Sequence, residues 1–341
     1  MKNLKVIAAG TALVLATVAA PAFAGKTFDA VKAKGFVQCG VNTSLPGFSG
    51  TDEQGNWKGL DVDVCRAVAA AMFGDATKVK YTPLNAKERF TALQSGEIDM
   101  LSRNTTWTLT RDTSLGIVFT GVNYYDGQGF MVKKSLGVKS AKDLGGATVC
   151  VQSGTTTELN LADYFRSHNM KFTPVTFDTS DATAKAFDAG RCDVLTSDQS
   201  QLYALRITLK NPDSAEVLPD VISKEPLGPS VRQGDTEWFN LVKWSLFAMQ
   251  DAEGFGITSK NVDDMKKNST NPNIQRFLGV TGDYGKMLGV SNDWAYNIVK
   301  QVGNYAESFD RNVGKDSPLK IARGLNASWK DGGIMYAPPE Q

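Results

Sequence analysis

The chain is expected to fold as an α/β protein of two lobes, each a mostly parallel sheet with flanking helices, joined by two crossings. Three features predict this. Short β-like runs alternate with helical ones, the pattern that layers helices on a sheet. The stretch 92–104 is echoed without a gap by 186–198. The length, about 315 residues once an export segment is removed, exceeds what one hydrophobic core usually supports.

The first segment opens with Lys2 and Lys5, runs apolar from 6 to 20, and reaches Ala22-Phe23-Ala24 after Pro21. A basic start, a short apolar core and small residues at the end make an export signal over 1–24, cleaved after Ala24. A membrane anchor would need ~20 apolar residues with polar flanks. No Cys follows the cleavage position, so no lipid anchor is expected, and no later stretch is apolar enough to span a bilayer. Removing Lys2 and Lys5 from the 37 basic residues, against 36 acidic, turns a formal charge of +1 into −1. No global field then draws the protein to nucleic acid or lipid, and its ligand must be recognised locally.

Along the chain, 36–41 reads as a strand and 62–72 as a helix ending before Gly74. A strand at 78–84, a helix at 87–94 stopped by Gly96, and a strand at 98–101 follow. The echo aligns this last unit with its counterpart: Gly96 with Gly190, Asp99 with Asp193, Leu101 with Leu195, and Asn104 with Asp198. Each copy is a helix end, a Gly where the chain must turn left-handed, and a short buried strand. Between the copies, 123–132 is Gly-rich in its middle and strand-like at its end, and reads as a crossing. A second crossing is expected at 224–230, before a helix at 236–250. The division is then 25–127 for the first lobe, 128–226 for the second, and 227–341 for the rest of the first with a C-terminal extension. In that extension 294–309 reads as one helical run, its apolar Ile298, Val302, Tyr305 and Phe309 forming a buried face.

Four cysteines in an exported chain suggest disulfides. Of three connectivities, Cys39–Cys65 and Cys150–Cys192 keep each bridge within one lobe and leave the lobes free to move. No metal site is expected, since there is no CxxC and the one histidine, His168, sits in a polar helix end. No cofactor is expected either.

Ligands of parallel sheets sit beyond the carboxyl ends of the strands. Arg111 closes a hydroxyl-rich run, Thr105-Thr106-Trp107-Thr108-Leu109-Thr110, and its guanidinium offers two donors to a carboxylate. The competing reading is a surface residue paired with Asp112. After the strand at 149–152, Thr155 and Glu158 fit a capping box, so Glu158 is structural and Thr155 or Thr156 is left as the ligand contact at the helix start. Asp198 ends its strand and could accept an ammonium, although Asp is also a frequent turn residue. A zwitterion needs both charges matched, because one left unmatched in a closing cleft costs several kcal/mol. Arg111 and Asp198 would match them from opposite lobes. Trp107 and Tyr124 could wall the site or could be ordinary packing.

With these motifs in place the chain resembles the bacterial periplasmic solute-binding proteins of family 3, the polar amino acid receptors of ABC transporters. Gly59-Leu60-Asp61-Val62-Asp63-Val64-Cys65-Arg66-Ala67-Val68-Ala69 carries that likeness, and the segments 89–112, 152–158 and 292–296 with Gly324-Leu325-Asn326 are similar to the general L-amino acid receptors among them. The resemblance implies a type II periplasmic binding protein fold, an amino acid ligand, permease subunits as partners and a monomer. It implies carboxylate binding by Arg111, Thr106 and Thr156, ammonium binding by Asp198 and Asn104, and side-chain reading at Gln152. Asp61 and Asp63 would serve the helix start and lobe packing. Thr110 stands where many members carry an acid, and the tail exceeds the family minimum. Broad specificity is the first expectation, and a receptor for glutamate, glutamine, aspartate and asparagine the second. The remaining rivals are a ligand-sensing module and an exported dehydratase on the same scaffold. The dehydratase would need a proton-transfer group, for which only Glu158 or His168 is near.

Overall fold

The computed structural model describes residues 27–340. The export segment expected at 1–24, with its cleavage after Ala24, lies outside them. Two five-stranded sheets organise the chain. The first runs in the order Val79–Leu84, Val37–Asn42, Met100–Leu101, Ser230–Arg232 and Ile117–Phe119. The second runs Thr173–Phe177, Thr148–Gln152, Val194–Asp198, Gln128–Lys133 and Ala215–Val217.

In both sheets the first three strands are mutually parallel and the fourth is antiparallel to its neighbours on either side. That reversed strand is the one the chain enters from a crossing. Gln128–Lys133 follows the crossing segment Tyr124–Asp126, and Ser230–Arg232 follows Glu225–Leu227. A strand arriving from between the sheets starts at the edge where its parallel neighbours end, so it must run against them. The two crossing segments pair antiparallel, Tyr124 opposite Leu227 and Asp126 opposite Glu225.

The two copies of the echoed unit occupy the same place, since Met100–Leu101 and Val194–Asp198 are each third in their sheets. Before them the helices Arg89–Ser95 and Ser180–Asp188 stop at Gly96, φ 84°, and Gly190, φ 76°. Only Gly adopts this turn without a Cβ penalty. The disulfides Cys39–Cys65 and Cys150–Cys192 are both formed. The first ties the strand Val37–Asn42 to the helix Leu60–Phe73, and the second ties Thr148–Gln152 to the turn before Val194–Asp198.

The C-terminal extension departs from the sequence expectation in one respect. The run 294–309 is two helices, Trp294–Gln301 and Tyr305–Asn312. Gly303 takes φ 93° between them, and Asn304 begins the second with a reciprocal capping box to Glu307. The apolar face continues across the break, with Ile298, Val302, Tyr305 and Phe309 all buried. No helix among the described residues is long and apolar enough to cross a membrane.

Candidate functional site

The site gathers residues at and after the third strands, Met100–Leu101 and Val194–Asp198, with the helix start at Thr156, and cross-lobe contacts join them. On the first lobe Leu109–Ser114 is a short helix capped by Thr108, whose hydroxyl accepts from Arg111 N at 3.3 Å. Arg111 is buried, and its Nη1 donates to Thr106 O at 2.9 Å. Its guanidinium carbon lies 5.2 Å from the centre of the Phe90 ring, and that of Arg89 lies 4.8 Å from the same ring. Arg89 is 2% exposed, donates from Nη1 to Thr105 Oγ1 at 3.2 Å, and has no partner for Nε among the described residues. Arg103, also buried, donates to Leu84 O at 2.8 Å. Burial lowers the pKa of all three guanidiniums, most strongly for Arg89, where the charges of Arg111 and Arg103 add to the effect.

Carboxylates of the second lobe and of the crossings answer. Asp198 is 5% exposed and its Oδ1 has no hydrogen-bond partner among the described residues. Burial holds its pKa well above the usual carboxylate range, the neighbouring Asp126 and Glu225 raise it further, and Arg111 and Arg89 pull it back. Asp126 is pushed up to about 6, chiefly by burial, against the hydrogen bonds it accepts from Ser200 and Gly127. Glu225 accepts from Thr156 Oγ1 at 2.9 Å, Asn160 Nδ2 at 2.7 Å and Ser223 Oγ at 2.7 Å.

The lobes touch through polar pairs. Thr106 Oγ1 and Thr156 Oγ1 are 3.3 Å apart, Asn104 Nδ2 donates to Gln201 Oε1 at 2.9 Å, and Lys87 Nζ lies 2.8 Å from Asp178 Oδ1. Arg111, Thr106, Asn104, Thr156 and Asp198 are thus brought together. The other three predicted residues make contacts of their own. Gln152 donates from Nε2 to Asp178 O at 2.9 Å. Trp107 is half exposed and stacked on Phe119, with ring centres 5.6 Å apart. Tyr124 is buried in an aromatic stack between Phe48 and Phe309.

Four residues with a bearing on the site were not singled out from sequence: Arg89, Asp126, Gln201 and Glu225. Glu225 lies in a segment recognised as a crossing, and Gln201 follows Asp198 by one helical turn. Only the placement of a candidate ligand contact beside them could have marked either. Glu158 has the expected cap role in altered form, since Thr155 Oγ1 accepts from Glu158 N while the Glu158 carboxylate accepts from Gly154 N at 2.9 Å.

The profile of the bacterial extracellular solute-binding proteins, family 3, matches residues 37–260. The chain belongs to that family. Its relatives include the general L-amino acid-binding periplasmic protein AapJ of Rhizobium johnstonii, 64% identical over 99% of both chains. The putative amino-acid ABC transporter-binding protein YhdW of Escherichia coli O157:H7 is likewise 64% identical over 99% of both. Among solved structures, an ABC transporter / periplasmic binding protein from Brucella ovis with glutathione bound superposes with a TM-score of 0.91 at 57% identity. That match covers 93% of this chain and 99% of the Brucella one. The solute-binding family and the two-lobed type II architecture therefore hold along the chain, while residues 261–341 extend beyond the family profile.

Proposed function

We propose that this protein is the periplasmic substrate-binding component of an ABC transporter for L-amino acids, with broad acceptance of side chains. The lobes are 25–127 with 227–341, and 128–226. They close about the paired crossings Tyr124–Asp126 and Glu225–Leu227 and hold the zwitterion between them. Arg111, Thr106 and Thr156 take the α-carboxylate, Asp198 and Asn104 the ammonium. Gln152 and Trp107 border the side chain, and Tyr124 fixes the crossing beside it. The single observation that carries this reading is Asp198, a buried carboxylate with an unpartnered oxygen, facing the cation cluster of the other lobe. An ammonium supplies what that oxygen lacks, and the ligand carboxylate answers Arg111.

Receptor action without catalysis agrees with the two groups nearest to proton-transfer candidates. The Glu158 carboxylate is engaged by Gly154 N, and His168 lies exposed at a helix end against Tyr164. YhdW, as named an ABC transporter-binding protein, supports delivery to permease subunits, and a monomer is part of the same proposal.

The Arg89 side chain favours a second reading of the ligand. A buried guanidinium with an unpartnered Nε beside Arg111 suits a second carboxylate, as in glutamate, aspartate or glutathione, the ligand named for the Brucella relative. A thermal-shift panel of the common L-amino acids and glutathione separates the two, because a bound ligand raises Tm by mass action. Shifts with neutral and acidic amino acids alike support broad acceptance. Shifts confined to ligands with two carboxylates support the second reading, and shifts that persist in Arg111→Ala contradict both.

A further inference from the structure

Asp61 and Asp63 sit two residues apart at the start of the helix Leu60–Phe73, where an acid suits the helix dipole. Their partners separate them. Asp63 accepts from Ser308 Oγ at 2.6 Å and Asn312 Nδ2 at 2.7 Å and pairs with Arg311 and Arg66, so it binds the C-terminal extension. Asp61 turns the other way. Its Oδ2 accepts from Asn104 N at 2.7 Å, and its Oδ1 from Asn123 Nδ2 at 3.0 Å.

Both partners occupy sensitive positions. Asn104 has φ 33°, a left-handed conformation that a residue with a Cβ adopts only when its surroundings enforce it. Its side chain accepts from Asn42 Nδ2 at 3.0 Å and donates across the cleft to Gln201. Asn123 immediately precedes the crossing Tyr124–Asp126, donates from its N to Leu227 O of the other crossing at 2.9 Å, and accepts from Tyr305 Oη at 2.6 Å. One carboxylate, 1% exposed, therefore joins the cleft end of the strand to both crossings.

We infer that Asp61 is a positioning residue for ligand capture, holding Asn104 in its left-handed turn and fixing that turn to the crossings about which the lobes close. The inference rests on the reading of Asn104 as a ligand contact. A helix-start role alone would leave the cleft indifferent to which donors Asp61 accepts from. An amide at 61 keeps one acceptor and turns an NH2 group toward the other donor, so Asp61→Asn breaks the junction with almost no change of shape.

The test is a cycle of Asp61→Asn and Asn104→Gly, singly and together, in the full chain. Without ligand, Asp61→Asn lowers Tm in the parent chain and by less than about half as much beside Asn104→Gly, since glycine takes the positive φ unaided. With L-glutamine as probe in stopped-flow binding, Asp61→Asn raises Kd about tenfold or more in the parent and about threefold or less in the Asn104→Gly background. Equal losses in both backgrounds overturn the inference. A parent protein that binds no amino acid defeats the reading of the cleft, while the ligand-free Tm cycle still decides the anchor. Should Asp61→Asn fail to fold, Asn123→Ala takes its place, with faster ligand release expected and unchanged binding and release rates overturning the inference.

Discussion

Thr106 and Thr156 meet hydroxyl to hydroxyl, 3.3 Å apart, although they belong to different lobes. Thr106 follows the third strand of the first sheet and its carbonyl receives Arg111, while Thr156 opens a helix of the second and donates to Glu225. The contact links the cation side of the cleft to the anion side. Thr156→Val keeps the shape and removes the hydroxyl. Its expected effect is a loss of about 0.5–1.5 kcal/mol in ligand binding, roughly two- to tenfold in Kd, with Tm of the unliganded protein little changed. Calorimetry checks it, and an unaltered Kd would place the hydroxyl outside the binding event.

Asp198 ties ligand binding to pH. A carboxyl whose pKa is raised by folding keeps its proton where the unfolded chain has lost it. Its contribution to stability is then lost as pH rises from the ordinary value of 3.8 through the folded value. Asp61 and Asp126, each pushed up to about 6, act in the same direction between 3.8 and about 6. The unliganded protein is expected to lose Tm as pH rises through this window, and Asp198→Asn to raise Tm by roughly 2–5 °C while severely weakening binding. Ligand binding should release protons, which calorimetry in buffers of different ionisation enthalpy measures. A Tm that rises steadily with pH would contradict the assignment.

Much of this cleft can be read from the chain because its geometry is enforced locally. Gly96 and Gly190 mark equivalent helix ends, and the strand that follows each one leads to Asn104 or Asp198. The split of the 294–309 run was also written locally, in Gly303 and the Asn304-to-Glu307 box, but the apolar spacing continues across it and hides the break. Arg89 and Arg103 are a different case. Nothing near an arginine in sequence shows that it will be buried, and here burial follows from strands and loops that fold over it from elsewhere in the chain. The aromatic neighbours of Tyr124, Phe48 and Phe309, are hidden for a similar reason, since both are remote in sequence.

Asn326 closes two hydrogen bonds on one crossing residue, donating to Tyr125 O at 3.0 Å and accepting from Tyr125 N at 2.6 Å. It lies in the extension beyond the family profile. Asn326→Ala is expected to cost about 1–2 kcal/mol of stability, because a partly buried backbone N–H loses its partner. Denaturant unfolding reads this directly. A loss under about 0.5 kcal/mol would mean that water replaces the amide.

The two disulfides close segments of 26 and 42 residues. On chain-entropy grounds each stabilises by about 3–4 kcal/mol. Replacing Cys150 and Cys192 together by Ser should therefore lower Tm strongly while leaving ligand affinity in the folded protein within about twofold, since the bridge lies within one sheet's lobe. A large change in affinity at temperatures where the variant is folded would show that this bridge shapes the cleft.

The central claim is that the cleft recognises a zwitterion, one charge from each lobe. Titrating ligand-stripped protein in a calorimeter with L-leucine and with its two truncated forms, 4-methylpentanoate without the ammonium and 3-methylbutylamine without the carboxylate, tests that claim most directly. The account predicts one-to-one binding of the amino acid and a loss of at least about a hundredfold in affinity for either truncated form, because each leaves Asp198 or Arg111 buried without its partner. Comparable binding of either truncated form, or no binding of any L-amino acid, would contradict it.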